Sequence, residues 1–443
     1  VESYLARINY GFKSRYYIDA SWRTDGSSRF HPSDRWGHFW SVGASWRISE
    51  EQFMENTRQW LDNLTLKVSY GVQGNDNLGT YYAWQGLYDY TWPNATDAGA
   101  FVDKLENRKV TWEKNGNLNT GIEATMFGGR LGVSVEYYNR KTRDMLLNSP
   151  LPISTGFTGF NDNVGSLRNQ GLEVSLRGTI LDKRDFRWDA TLMGSFYRNK
   201  VLSLTGGQDV ITSGIRVIEV GRPIYTFYLP KTAGVDPATG KQLYYAYWTQ
   251  TVNDEGALVN TRCDEYITDN VAMATLSKYY HESREPKLFG SIGSTFTILK
   301  NIDVSFLTTY SIGGWVYDGL YNGSMYVQYA GNNWHKNAKR RWQKPGDKTD
   351  VPMLEVGGSY ATASNSLIDA SYFAIKNITV GYTLPKRWLK KIDIESLRIY
   401  ATLDNIAMFN HMDGMDPQYN FTGSVAYSYT PSRVIAFGID LNF

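Results

Sequence analysis

The chain has 443 residues, with 46 basic and 44 acidic side chains and a formal net charge of +2. This balance excludes the dominant basic surface of a nucleic-acid-binding protein, and no run approaches the roughly 18 apolar residues of a membrane-spanning helix. Aromatic residues reach 15%, and the 32 Tyr, 14 Trp and 41 Gly favour pleated strands. The mean hydropathy of −0.42 is compatible with a membrane barrel, because barrel strands turn only every second residue toward lipid.

Alternation of apolar and polar residues predicts strands from the first residues onward. Residues 1–10 already have this pattern without a preceding export signal, so we expect the chain to begin inside a longer protein. The clearest alternation is at the end, where Ile435, Phe437, Ile439 and Leu441 precede Phe443 at every second position. The same period predicts thirteen strands, near residues 4–12, 15–24, 39–48, 64–71, 118–127, 130–139, 170–180, 186–196, 288–298, 301–311, 370–382, 396–405 and 432–443. Most have the 9–11 residues that cross a bilayer when tilted.

The connections between these strands fall into two alternating sets. Six are mostly short, at 13–14, 49–63, 128–129, 181–185, 299–300 and 383–395. Six are long, at 25–38, 72–117, 140–169, 197–287, 312–369 and 406–431. Short turns on one rim and long loops on the other are typical of outer-membrane barrels. We expect a short helix at 52–60 and the basic stretch 386–391 at the rim of the short turns. A soluble propeller is the alternative, but no repeat of 40 to 50 residues is present.

No motif for covalent chemistry or metal binding stands out. The five histidines, at 31, 38, 281, 335 and 411, fall in predicted loops without the spacing of a zinc site. Acidic loop segments such as 236–240 have the oxygen ligands that calcium uses, but Asp, Pro and Gly are also what turns require. We therefore predict no catalytic residues, no metal and no cofactor. An outer-membrane enzyme remains an alternative, because catalytic residues need not be close in sequence.

Loop aromatics are the candidate ligand-binding residues. Rigid rings with a polar tip cover a ligand at low entropic cost, although they also serve as cores of large loops. The three clusters are Tyr81, Tyr82, Trp84, Tyr88 and Trp92; Tyr244, Tyr245, Tyr247 and Trp248; and Trp315, Tyr317, Tyr321, Tyr326, Tyr329 and Trp334. From these we select Tyr81, Tyr82, Trp84, Trp92, Tyr245, Trp248, Trp315 and Trp334 as ligand-binding candidates. Polar strand residues, namely Glu136, Glu173, Arg177 and Arg398, are expected to line a lumen.

Several segments, in their order and spacing, resemble the SusC/RagA family of TonB-linked outer-membrane transporters over essentially the whole chain. They are 23–30 (Arg-Thr-Asp-Gly-Ser-Ser-Arg-Phe), 46–51 (Trp-Arg-Ile-Ser-Glu-Glu), 69–75 (Ser-Tyr-Gly-Val-Gln-Gly-Asn), 163–165 (Asn-Val-Gly), 169–173 (Asn-Gln-Gly-Leu-Glu), 221–223 (Gly-Arg-Pro), 371–385 (Ser-Tyr-Phe-Ala-Ile-Lys-Asn-Ile-Thr-Val-Gly-Tyr-Thr-Leu-Pro) and 404–405 (Asp-Asn). Each is weak alone, but together they are specific.

The resemblance implies a transmembrane antiparallel β-barrel of about 22 strands with a plugged lumen. Residues 1–443 would be its carboxy-terminal portion, with the last thirteen strands and without the plug or the first strands. The implied function is import of oligosaccharides or peptides across the outer membrane, with a SusD-like surface lipoprotein and with TonB as partners, the latter acting through the missing amino-terminal segments. A passive porin is the runner-up. The resemblance to outer-membrane barrels also implies that the terminal aromatic, Phe443, is an assembly signal.

Overall fold

The largest element of the chain is a single wall of antiparallel strands. The computed structural model describes residues 1–443 except 94, 98, 205–208, 326–330, 332, 356, 357, 359, 390–393, 413, 414, 419, 420 and 426–428. In these described residues thirteen strands form the wall, and each pairs with the wall strand before it and the one after it, except that the first and the last pair with one wall strand only. We number them β1 Glu2–Phe12, β2 Tyr16–Gly26, β3 Trp36–Arg47, β4 Leu61–Asn75, β5 Glu113–Met126, β6 Leu131–Arg143, β7 Ser166–Lys183, β8 Phe186–Ser203, β9 Leu288–Ile298, β10 Ile302–Ile312, β11 Tyr372–Thr383, β12 Ser396–Asn410 and β13 Val434–Asn442.

Each of the thirteen strands predicted from alternation corresponds to one wall strand, but several strands are longer than predicted. β8 continues to Ser203, seven residues beyond the predicted end at 196. Its extension still pairs with β7, for example Lys200 with Arg168 and Asn199 with Asn169. Both partners are polar there, so the ladder continues after the apolar alternation has ended. The alternation of apolar and polar side chains therefore identifies the membrane-spanning part of a strand but not its full length.

Strand register separates the wall into an apolar face and a polar face. Between β6 and β7, Val135 lies opposite Val174 and Glu136 lies opposite Glu173, so each face keeps one chemistry across the strands. Large apolar side chains such as Ile8, Ile18 and Phe437 are exposed on the apolar face. Such a surface suits lipid contact. The residues expected in the lumen all lie on the polar face: Glu136, Glu173, Arg177 and Arg398.

Aromatic rings gather in two bands on the apolar face, one toward each rim. Near the rim with long connections, the Trp40 and Tyr70 ring centres lie 5.6 Å apart. Near the opposite rim, Trp188 and Phe296 are separated by 5.7 Å. Two aromatic girdles flanking an apolar band are a property of outer-membrane barrels. The prediction that all five histidines occupy loops is wrong for His38, which lies in β3 and stacks against Trp22.

The predicted alternation of short and long connections is confirmed. The six short ones, 13–15, 48–60, 127–130, 184–185, 299–301 and 384–395, share one rim because neighbouring strands run antiparallel. Three of the tight turns have positive φ at consecutive residues, at 13–14, 127–129 and 299–300. That conformation matches the twist of flanking strands. The expected helix near 52–60 is a 3-10 helix, Gln52–Thr57.

The basic stretch also follows the prediction as far as it is described. Lys386–Leu389 is a short helix on the rim of short turns, while Lys390 and Lys391 are outside the described residues. In the part of the chain that the structure describes, no helix is long and apolar enough to cross a membrane.

The strand prediction assigned no strands to the long connections, but the structure shows strands in them. Their described residues hold fourteen further strands, mostly short, which pair among themselves and not with the wall. They are Leu87–Asp89, Phe101–Lys104, Leu146–Pro150, Gly159–Asn163, Val210–Ser213, Arg216–Glu219, Thr226–Pro230, Thr232–Val235, Gln242–Val252, Leu258–Thr268, Lys278–Ser283, Trp315–Asp318, Leu367–Asp369 and Ser424–Val425. Most span only two to six residues, too few for a period of two to be recognised.

Candidate functional site: the loops and the polar face

The first three long loops pack into one unit, the first loop group (residues 27–35, 76–112 and 144–165). At its centre, Phe30, Phe39, Val110 and Trp112 form a buried apolar cluster. The indole N–H of Trp112 donates to the Arg35 carbonyl oxygen at 2.9 Å, which joins the second loop to the first. Burying these rings excludes water from the hydrogen bonds that connect the loops. The rim above β2 to β7 is therefore held by defined side-chain contacts.

Residues that carry the SusC/RagA resemblance make several of these joints. Ser27 Oγ donates to the Asp76 carboxylate at 2.7 Å. Asn163 and Thr111 exchange two hydrogen bonds of 2.9 Å each, with the Asn163 side chain as both donor and acceptor. The Gly221–Arg222 turn pairs with Val201 at the end of β8, in both directions along the backbone. The motifs thus mark places where loops are fixed to each other and to the wall.

The four candidates of the first aromatic cluster divide into two roles. Tyr81, Tyr82 and Trp92 are exposed, and Trp92 keeps 68% of its surface. Tyr81 also lies against the Arg29 guanidinium, 4.7 Å from carbon to ring centre. Trp84, in contrast, packs on the buried cluster of the first loop group and meets His31 edge to face. Three of the four are therefore accessible to a ligand, and Trp84 is part of a loop core.

The last three long loops form the second loop group (residues 204–287, 313–371 and 411–433). Phe227 and Leu229 pack against Tyr317 and Leu367, which joins two of the loops through an apolar core. Tyr244 is fully buried in a second core with Ala361 and Ala363, and burial raises its pKa to about 12. Arg284 donates through Nη2 to the Pro417 carbonyl oxygen at 2.7 Å, which brings in the third loop.

The remaining candidates lie within the second loop group and are only partly buried. Trp315 packs on the Phe227 core, and Trp334 packs on a separate core with Met325 and Ala338. Trp248 is fixed through its backbone, because its N–H donates to Ser277 Oγ and its carbonyl accepts from the Tyr266 hydroxyl. Two further aromatics of the third cluster, Tyr326 and Tyr329, fall outside the described residues.

One cleft of about 690 Å³ opens within the second loop group. We call it the loop cleft. Its lining includes Trp315 from the predicted candidates, together with Arg222, Lys231, Tyr280 and His281, which the sequence did not indicate as site residues. The remaining lining residues are Pro223, Thr226, Thr232, Glu282, Ser283, Ser364 and Leu367. A cleft of this volume is within the range of small-ligand sites.

The prediction that His281 lies in a plain loop is wrong. It lies in the strand Lys278–Ser283, half-buried, with Nε2 3.1 Å from the Leu229 carbonyl oxygen. Since a carbonyl only accepts, Nε2 carries the hydrogen and Nδ1 is the acceptor nitrogen of the neutral ring. Burial is the main cause that lowers the pKa of His281, with a contribution from Lys231. The imidazole is therefore neutral at pH 7.

The polar face of the wall carries two hollows, of about 560 and 670 Å³. The two hollows are continuous along β2 to β5, because four residues border both of them: Asp19, Gly43, Ser69 and Asn119. Lys67 and Glu123 form an ion pair of 2.5 Å within the first hollow. The charged and hydroxyl side chains here form a hydrophilic surface on the side of the wall opposite the apolar face. Such a surface suits a lumen through which polar solutes pass.

Acidic loop segments form turns. The Asp236 carboxylate accepts from the Ala238 N–H and from Thr239 Oγ1, so its oxygens satisfy its own turn. In the described residues, no three His, Cys, Asp or Glu side chains come together as ligands for a metal ion.

Residues 2–406 match the family described as TonB dependent receptor-like, beta-barrel. The chain belongs to this family. Among its relatives, SusC of Bacteroides thetaiotaomicron is 28% identical and TonB-dependent receptor P26 of Formosa agariphila is also 28% identical, each over the whole of this chain. These relatives are more than twice as long, since the chain spans 43% of SusC and 46% of P26.

A solved structure gives the same result for this TonB-dependent receptor barrel. The structure titled "Structure of the RagAB peptide transporter" superposes with a TM-score of 0.85 and 30% identity, over 100% of this chain and 47% of that one. The resemblance to SusC/RagA is therefore confirmed, and so are the all-β barrel class and the location in the outer membrane. The aromatic site residues, in contrast, stay predictions.

Proposed function

We propose that residues 1–443 form part of the wall and the ligand-capturing loops of a transporter that imports oligosaccharides or peptides across the outer membrane. The main support is that the wall has two different faces, an apolar face suited to lipid contact and a polar face with hollows. In addition, packed loop groups lie at one rim. Ligand would be captured in the loops and passed along the polar face. No covalent chemistry is part of this proposal; the relatives are named as receptors, and the similar solved structure is titled as a transporter.

The proposal extends to partners outside these residues. We infer a plug domain with a TonB-contacting segment, because the chain spans less than half of the relatives it matches. We also infer a SusD-like surface lipoprotein that closes over the loop groups. The two-component name of the RagAB transporter supports such an arrangement for a similar wall.

The packing of the loops at the rim favours active import over passive diffusion. Among the described residues, four separate apolar cores hold the loops of the second group together or against β8. One of them, with Met145, Leu167 and Val201, also joins the two loop groups. Such packing covers the rim with ordered protein. A porin instead leaves a water-filled channel through the barrel.

Uptake by living cells tests the proposed function. Cells carrying the full-length protein and its lipoprotein partner should accumulate a fluorescent oligosaccharide or peptide, and cells lacking the gene should not. A protonophore, or deletion of the tonB gene, should abolish this accumulation. Uptake that continues without the proton-motive force would instead identify a passive channel.

A further inference from the structure

Two cations in the loop cleft are held against tyrosine rings. The Arg222 guanidinium carbon lies 3.7 Å from the ring centre of Tyr280. Lys231 Nζ lies 4.4 Å from the ring centre of Tyr245 and 5.9 Å from that of Tyr279. Attraction between a cation and an aromatic face restrains both charged groups. A cation therefore occupies the face of the Tyr280 and Tyr245 rings on which a sugar would otherwise stack.

Both cations keep hydrogen-bond donors for a ligand. Arg222 uses Nε to donate to the Glu219 carboxylate at 2.7 Å, and within the described residues its two terminal nitrogens donate no hydrogen bond to the protein. Lys231 is exposed, and in the same part of the chain no carboxylate lies within ion-pair distance of its ammonium group. A charged donor without a protein acceptor is satisfied by water or by an anionic ligand.

The rest of the cleft is mostly neutral and polar. Thr232 and Ser364 bring their hydroxyl oxygens to 3.2 Å from each other, and the neutral His281 adds a ring. Glu282 is the one carboxylate among the lining residues. Lys231 and Arg222 thus outnumber the acids among the lining residues, and because Glu219 already pairs with Arg222, Lys231 is the cleft cation without a carboxylate partner in the described part of the chain. Electrostatic attraction there selects for negative groups.

We propose that the loop cleft binds a carboxylate of the transported ligand, with Lys231 and the terminal nitrogens of Arg222 as donors. This inference rests on the proposed function. Guanidinium and ammonium groups make their strongest hydrogen bonds with such acceptors. A carboxylate can come from a uronic acid in an oligosaccharide or from a short peptide, and the cleft has room for the neighbouring sugar or amino-acid residues.

Titration of the purified full-length transporter with its lipoprotein partner tests the proposal. The probes are a trisaccharide of galacturonic acid, the methyl ester of the same trisaccharide, and a triglutamate peptide. We expect at least one acidic probe to bind at least tenfold more tightly than the neutral ester. Lys231→Met should lower that affinity by about ten- to a hundredfold, the usual effect of losing a charge-assisted hydrogen bond. Lys231→Arg should keep most of it.

Lys241→Met is the matched control, because Lys241 is an exposed lysine of the same loop whose ammonium already pairs with Asp269 at 2.7 Å. It should leave the affinity for the acidic probe unchanged. Binding of galacturonate alone identifies a uronate as the source, and binding of triglutamate alone identifies a peptide. Equal binding of the acid and the ester, no binding of either acidic probe, or no change with Lys231→Met overturns the proposal. Energised uptake of a neutral ligand would leave the proposed function intact in each of those cases.

Discussion

Arg398 joins four neighbouring wall strands across a space that a glycine leaves open. From β12, its guanidinium reaches over β11 to Asp303 on β10 at 2.6 Å, and it also contacts Asp440 on β13 at 3.1 Å. A Cβ at Gly381 of β11 would lie 2.5 Å from the Asp303 carboxylate and 2.6 Å from Arg398. Glycine is required there because any side chain would separate the ion pair. The terminal strand is thus connected to the wall by charge as well as by its ladder.

Gly381→Ala and Arg398→Gln should each destabilise the assembled barrel. We expect each to cost about 1–3 kcal/mol, since both disrupt hydrogen bonds between charged groups that are only partly exposed. The double variant should cost little more than either single one, because both changes act on the same contact. Urea unfolding of the full-length protein in lipid vesicles measures these differences.

Arg187→Gln is the control for that series. Arg187 pairs with Asp189 two residues along the same strand, and both side chains are more exposed than those of the Arg398 pair. An exposed pair contributes below about 1 kcal/mol. Fully additive losses for Gly381→Ala and Arg398→Gln would show that the glycine does not act through the arginine.

At the scale of single elements, Trp84 and Trp92 of one loop should respond differently to replacement by alanine. Trp84→Ala removes a ring that packs on the buried cluster of the first loop group, with an expected local loss of about 2–4 kcal/mol. The loop 76–112 should then become sensitive to protease on intact cells. Trp92→Ala removes an exposed ring and should leave the protease pattern unchanged, while weakening ligand uptake. Equal protease sensitivity in both variants would remove Trp92 from the ligand-binding candidates.

The final strand tests whether the chain end is an assembly signal. Phe443 follows the last residue of β13 and keeps 86% of its surface exposed. Phe443→Asp should therefore change local packing little but strongly reduce the amount of inserted barrel, measured by heat-dependent mobility on gels. Asn442→Asp is the control, because Ser396 Oγ, 2.7 Å from Asn442 Nδ2, can donate to the new carboxylate. Normal insertion of Phe443→Asp, or equal damage from both changes, contradicts the assembly role.

The elements that sequence could predict are those with a long repeated pattern. Wall strands alternate lipid-facing and lumen-facing residues, so all thirteen were predictable, but the pattern missed the ends of several strands, including the extension of β8. The loop strands are too short for their alternation to be recognised, as with the five-residue strand Thr226–Pro230 that carries Phe227 and Leu229. The loop cleft was missed because Arg222 and Lys231 are brought together with Tyr280 only by folding of the loops. The Gly-Arg-Pro motif at 221–223 and the candidate Trp315 were the sequence signals near it.

For the whole molecule, the strand count limits how the wall can close. β1 and β13 run in the same direction, because neighbouring strands of the thirteen alternate. They therefore cannot pair with each other as antiparallel neighbours, and closing an all-antiparallel barrel needs an odd number of additional strands. Unpaired edges in lipid are costly. The expectation of about 22 strands, which adds nine, satisfies this condition.

The orientation of the whole wall is the last prediction. The long loops should face the cell exterior and the short turns the periplasm, because outer-membrane barrels have this asymmetry. In full-length protein with Cys263→Ser, a cysteine at Asn333 in the loop 313–371 should react with a membrane-impermeant maleimide on intact cells. A cysteine at Lys386, on the rim of short turns, should react only after the outer membrane is opened. A cysteine at Gly128 is a second site on that rim; its Cβ position is open, and the positive φ of 67° makes the substitution strained. Labelling at Lys386 and Gly128 but not at Asn333 would invert the orientation, and the loop cleft would then face the periplasm, where it could not capture an external nutrient.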